Sequence, residues 1–327
     1  MSTQLDHKPL LTHEVGSLDK PGWRVKAYAG KPLSERDLEE ARSWGEQLQV
    51  PDYPRLLELL RGRSFTKEQK AEIQRWSSLY ALRLEESAGL DVVYDGEQQR
   101  TEMYDWAVTH ANGFERRGSV RAFDNKYYSK AAVVGPISLA APYHNAEFSY
   151  LVSVAGAELK VPVTGAYTIA DWSFELDLFV DSFNASVEGL DAMFSTHLCF
   201  SDYNLFFPAI ERMSQCRQFA VGFANYDSRE LGTSDDARPG YQVIKKFREL
   251  PYKPALGMGV LDIHTDFIES PELVRDRVLY AVKVFGDAAR IHVTPDCGLR
   301  TRSWRVAYEK LRNMTAGVEL ARRALSL

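Results

Sequence analysis

The chain has 327 residues, 45% hydrophobic and 26% charged, with 21 Gly, 14 Pro and 3 Cys, which excludes a disordered, collagen-like or coiled-coil chain. Forty Lys and Arg against forty-five Asp and Glu leave a formal charge of −5, so the basic footprint of a nucleic-acid-binding surface is missing. No apolar run approaches the roughly 20 residues that span a bilayer, and Met1 to Asp6 does not read as the start of a signal peptide.

Taken in chain order, Leu10 to His13 reads as a short first strand. Ser34 to Gln47 opens with a capping-box-like Ser-Glu-Arg-Asp and predicts a helix. Thr66 to Ser87 places Ile73, Trp76, Leu79, Tyr80 and Leu84 at helical spacing. Short apolar runs follow at Asp91–Asp95, Lys160–Thr164, Met193–His197, Phe219–Phe223, Leu256–Asp262 and Arg290–Thr294. Amphipathic helices close the chain at Pro271–Phe285 and Trp304–Leu325. Strands alternating with helices imply a mostly parallel sheet, whose buried strands read as continuous apolar runs. Val120 to Ile137 departs from this pattern and has hairpin character. No repeat, low-complexity tract or linker divides the chain, so residues 1–327 are expected to form one unit. Its segment 1–90 includes a helical extension, and 118–140 is an excursion from the main sheet.

Parallel α/β folds gather functional groups at the C-terminal ends of their strands, and the unusual residues stand there. One strand runs into Asp95-Gly-Glu97, others deliver His197-Leu-Cys199, Asp262-Ile-His264 and Pro295-Asp296-Cys297. Residues two apart on a strand share a side, so His197 and Cys199 face one way. Cys297 on a later strand is placed to join them around a barrel mouth. One imidazole and two thiolates suit Zn²⁺ and leave a fourth position open. By spacing alone the metal signal is weak, since His-x-Cys lacks the specificity of a CxxC pair. The residues read more readily as small core hydrophobes and a satisfied core histidine. Three widely spread cysteines make a poor disulfide framework and point to a reducing cytoplasm.

The run Ser195-Thr-His-Leu-Cys-Phe-Ser-Asp-Tyr-Asn204 resembles the zinc motif of the cobalamin-independent methionine synthases. Gly259-Val-Leu-Asp-Ile-His264 and Thr294-Pro-Asp-Cys-Gly-Leu-Arg-Thr-Arg302 resemble further blocks of that family. Val15-Gly-Ser17, Asp95-Gly-Glu-Gln and Gly165-Ala-Tyr-Thr-Ile-Ala-Asp-Trp-Ser173 agree in order. The resemblance covers the C-terminal catalytic barrel of the long enzymes and is closest to the short "core" type. It implies a TIM (β/α)8-type barrel that transfers a methyl group to the thiol of homocysteine, with a methylated corrinoid or corrinoid protein as donor in place of folate.

Carried over residue by residue, the resemblance makes His197, Cys199 and Cys297 the zinc ligands. It gives Val15 and Ser17 the homocysteine carboxylate and Glu97 its ammonium group. His264, following Asp262, becomes the acid–base or gating residue, and Trp172 a flat wall for the donor. A thiol with a pKa near 8.5 is mostly protonated at neutral pH, and zinc would hold it as the nucleophilic thiolate.

Two departures stand out. Gly222 occupies the position where the family carries a glutamate zinc ligand, with Asp227 and Glu230 lying beyond the strand as conceivable substitutes. After Phe174 the chain passes straight to Glu175–Phe183, without the helix, strand and Asp-Glu-Pro that the family has before the corresponding segment. The barrel is therefore expected to be short of one strand, with about seven readable. These departures leave two alternatives: action on another thiol, or an impaired barrel that only binds a partner.

Overall fold

The computed structural model describes residues 8–121, 127–165, 176–199 and 201–327. Its parallel strands are β1 (Leu11–Thr12), β2 (Val92–Val93), β5 (Glu158–Leu159), β6 (Phe194–Leu198), β7 (Cys216–Val221), β8 (Ala255–Leu261) and β9 (Ile291–Pro295). β3 (Ala111–Arg121) and β4 (Tyr127–Leu139) form a separate antiparallel hairpin. One five-stranded sheet has the order β1-β9-β8-β7-β6, and β2 pairs with β5. A single parallel bridge from His13 to Val92 joins the two sets. The resulting order, β5-β2-β1-β9-β8-β7-β6, is that of a (β/α)8 barrel with one place open. Among the described residues no strand lies between β5 and β6, where such a barrel seats its fourth.

β7, β8 and β9 are buried along most of their length, which is why their runs are largely apolar. Phe219, Val221, Leu256, Met258, Val260, Ile291 and Val293 are all buried. The outer layer includes the predicted helices at Glu35–Gln47, Lys67–Ser87, Pro271–Phe285 and Trp304–Leu325. Their starts are capped as the sequence indicates. The Ser34 amide donates to Asp37 at 2.7 Å, and the Thr66 amide donates to Gln69 at 2.9 Å, each satisfying a donor that the helix cannot. Helices at 22–28, 53–60, 103–109, 145–154 and 244–249 were not anticipated, because pieces this short give no window of sustained periodicity.

Two expected boundaries shift. The strand expected at 160–164 is paired at Glu158–Leu159, and only the Lys160 amide, bonded to the Val93 carbonyl at 3.2 Å, extends it. Pro162 has no N–H to continue the ladder. The hairpin is longer than its apolar core suggests and starts at Ala111. Among the described residues, no helix is long and apolar enough to cross a membrane.

Behind β7 and β8, Asp227 is fully buried between two arginines. It pairs with Arg238 and accepts from Arg277 Nε at 3.0 Å. Arg277 also donates to the carbonyls of Val260 at 2.8 Å and Ser228 at 3.0 Å, tying β8 to the loop after β7. Asp227→Ala would strand two buried guanidinium groups, a change that costs about 3–5 kcal/mol. Urea titration should therefore show a midpoint well below that of the parent chain, with the slope unchanged.

Candidate functional site

The site is built at the C-terminal ends of consecutive strands. β6 carries His197 and is followed by Cys199; β9 is followed by Cys297. β6 and β9 are separated by β7 and β8, and curvature of the sheet brings the two ends together. One ligand atom each from His197, Cys199 and Cys297 lies within 4.8 Å of the other two. The Cys199 and Cys297 sulfurs are 3.7 Å apart.

The donor set fits a zinc ion. His197 Nδ1 is 3.1 Å from the Ala220 carbonyl, which can only accept, so Nδ1 carries the proton and Nε2 presents its lone pair. That Nε2 is buried with no hydrogen-bond partner, the state of a metal-ligating imidazole before its ion arrives. At Cys297 the neighbouring Cys199 thiol and burial both push the pKa well up. Two adjacent thiols resist ionising together, and a divalent cation between them reverses that preference.

Gly222 follows β7 and packs onto the loop after β9. A Cβ there would lie 3.1 Å from the Asp296 carbonyl oxygen and 3.2 Å from its Cβ. Asp296 itself accepts the backbone N–H groups of Phe223, Ala224 and Asn225 at 2.8–3.0 Å. Burial pushes its pKa up to about 7 against the pull of those bonds. The candidate substitutes for a fourth ligand are not offered to the cluster: Asp227 is held by Arg238 and Arg277, and Glu230 is exposed.

Glu97 sits in left-handed backbone at φ 59°, an uncommon conformation for a residue with a side chain. Asp95 imposes it by accepting the Glu97 amide at 2.9 Å, an Asx-type turn. Arg100 then takes one Glu97 oxygen at 3.2 Å and Glu147 at 3.1 Å. The Val15–Ser17 loop lies between Glu97 and Cys297. A Cβ on Gly16 would stand 3.5 Å from a Glu97 oxygen, and one on Gly298 only 3.0 Å from the Ser17 amide nitrogen. The Val15–Ser17 loop is thus adjacent to Glu97 on one side and to the segment after Cys297 on the other.

His264 extends from the end of β8. Its Nδ1 lies 3.1 Å from Asp262, which also accepts the His264 amide at 2.9 Å. The Asp262 hydrogen bond, opposed by partial burial and aided by the charges of Asp262, Asp296 and Cys199, raises the His264 pKa. The stabilisation contributed by His264 is complete below the ordinary imidazole value and fades as pH rises through the higher folded one. That of Asp262, whose pKa is lowered, is lost as pH falls through its folded value. NMR titration should find the His264 midpoint above that of a free imidazole, and Asp262→Asn should bring it down. Trp172 and the rest of its block beyond Gly165 lie outside the described residues.

Sequence reasoning passed over Glu14, Lys160, Gln218 and Gly298. A signal was present in the first three, which are polar residues within or beside apolar strand runs.

A family model described as "Cobalamin-independent synthase, Catalytic domain" matches residues 46–184 and 176–321. The methionine synthase of Thermoplasma volcanium is 33% identical over 305 residues, covering 76% of this chain and 88% of the relative. That of Pyrococcus furiosus is 28% identical over 364 residues, covering 97% and 94%. An alignment of 364 residues exceeds the 327 available here, so that relative carries residues this chain lacks. The two matched stretches of the family model meet at 176–184, where the sequence shows its break. A solved structure of a B12-independent methionine synthase from a Shewanella species, in complex with selenomethionine, superposes with a TM-score of 0.68 at 19% identity, covering 98% of this chain and 99% of that one.

Proposed function

The chain belongs to the catalytic-domain family of the cobalamin-independent methionine synthases, short core type, which makes it a methyltransferase, and from that premise we propose that it methylates the sulfur of homocysteine at a zinc ion held by His197, Cys199 and Cys297. The observation carrying this reading is the unpartnered His197 Nε2 beside two thiols. Zinc, when bound, supplies the positive charge that keeps a thiol ionised at neutral pH. The chain's own residues do the rest. Val15 and Ser17 seat the substrate carboxylate, and Glu97, aimed by the Asp95 turn and steadied by Arg100, takes the ammonium group. His264, held by Asp262, carries the proton traffic at the mouth; Trp172, which the resemblance assigns to the donor, lies outside the described residues. Residues 1–327 work as one catalytic unit, with the helical segment before 90 and the hairpin as its elaborations.

The corrinoid donor expected from the sequence finds no support in the relatives, which are described as cobalamin-independent or B12-independent. A direct assay separates the donor classes. The zinc-loaded chain is incubated with homocysteine and either methyltetrahydrofolate or methylcobalamin, and methionine is measured by mass spectrometry. Methionine from either donor supports the reading and identifies the donor; none from both, with folded and zinc-replete protein, refutes it.

A further inference from the structure

The loop that follows β1 is held from beneath by a chain of buried polar groups running across the barrel interior. It starts at His292 on β9, whose Nδ1 is 3.1 Å from Gln218 Oε1 on β7. The Gln218 amide nitrogen can only donate, and it lies 2.8 Å from His13 Nε2. His13 Nδ1 lies 2.9 Å from the Glu14 carbonyl and 3.1 Å from Lys160 Nζ. Burial keeps both imidazoles neutral, with the His292 pKa pushed down to about 4 and that of His13 well below its usual value. The relay ends on a cation. Lys160 Nζ donates to the same Glu14 carbonyl, and to the Val15 carbonyl at 3.1 Å.

These two carbonyls belong to no strand or helix, and they precede the residues expected to hold the substrate carboxylate. Trans peptide units are planar, with C=O and N–H pointing in opposite directions. Drawing the Glu14 and Val15 carbonyls onto one ammonium therefore sets the direction in which the following amides face. The Glu14 side chain links the loop to the metal-ligand segment, because its Oε1 accepts the Leu299 amide at 3.3 Å. Burial lowers the Lys160 pKa, and the neighbouring Glu14, Glu85 and Glu97 carboxyls oppose that pull.

Resting on the reading that homocysteine binds here, we propose that Lys160 is a positioning residue for substrate: it sets the Glu14–Ser17 loop through the Glu14 and Val15 carbonyls and so fixes the seat of the homocysteine carboxylate. It touches neither the sulfur nor the zinc ligands. Its loss must therefore weaken homocysteine binding while leaving zinc in place. A residue serving stability alone would lower the melting temperature without separating those two quantities.

The test uses the full zinc-loaded chain carrying Lys160→Met or Lys160→Arg. Lys160→Met should retain the parental zinc content, raise KM for homocysteine by at least about tenfold and change kcat by less than about threefold. Lys160→Arg, keeping the charge with a different donor geometry, should fall between Met and parent. If Lys160→Met does not fold, Lys160→Gln carries the same readout. An unmoved KM in a folded, zinc-replete variant overturns the proposal, as does loss of zinc with unchanged homocysteine affinity. If the parent chain neither binds homocysteine in calorimetry nor makes methionine, the functional reading fails and this inference falls with it. If the parent is active and only the variant's KM stays unmoved, the positioning role alone fails.

Discussion

Cys297→Ser is expected to yield a folded chain without zinc and to cut methionine formation roughly a thousandfold, the rate that several kcal/mol of lost charge stabilisation represents. Three protein groups are the minimum that a catalytic zinc site keeps, and a serine hydroxyl is a poor replacement for a thiolate. The parent chain, purified without chelator, should carry about one zinc per polypeptide. The internal control is Cys216, which is buried, donates to the Gln218 carbonyl at 3.1 Å and has a pKa pushed up to about 12 by burial. Cys216→Ala should therefore leave the zinc content untouched. Metal analysis of the three proteins decides the matter: zinc persisting in Cys297→Ser, or absent from the parent, removes the metal site.

Gly222→Glu should raise zinc affinity by about tenfold or more, through a fourth protein ligand in a site that otherwise has three. The local geometry sets conditions on this gain. A Cβ at 222 meets the Asp296 carbonyl oxygen at 3.1 Å and its Cγ at 3.3 Å, so the loop after β9 must yield by a few tenths of an ångström. The new carboxylate also arrives beside Asp296, already fully buried. Without metal the variant should melt below the parent, since two acids then share a water-poor site. With saturating zinc it should melt above the parent, because ligand binding to the folded state adds stability by mass action. Chelator competition and melting curves with and without zinc measure both halves. A variant that binds zinc no better, yet folds, would show that position 222 does not face the cluster.

The two departures from the family pattern had different outcomes in the structure. The missing Asp-Glu-Pro unit corresponds to a place without a strand between β5 and β6 among the described residues. The family match also divides at 176–184, near the same point. Glycine at 222 removes a carboxylate, and Asp296 packs against the space its side chain would start from. Asp227, the substitute conceivable from the sequence, is committed to two buried arginines. No linear reading could have shown that, because Arg277 lies fifty positions away.

Much of the architecture was legible locally. The long helices announce themselves by periodicity and caps, and the parallel strands by apolar runs that end in chemistry-bearing residues. His197 and Cys199 share a strand end, so their common direction follows from the period of two. What the sequence could not supply was distance between elements. That Cys297 meets Cys199 at 3.7 Å depends on the curvature of four strands. That the Val15–Ser17 loop packs against the segment after Cys297 depends on Gly298, where a Cβ would run into Ser17 Oγ. The supporting layer was least visible: a lysine, a glutamate and a glutamine in apolar surroundings read as interruptions of pattern until their partners are known. The sequence alone determined the kinds of ligand and their order along the chain, because residue chemistry and short-range periodicity are local. Only the tertiary structure decided which of those groups converge and what holds the substrate loop, since buried polar atoms take their partners from strands far apart in the chain.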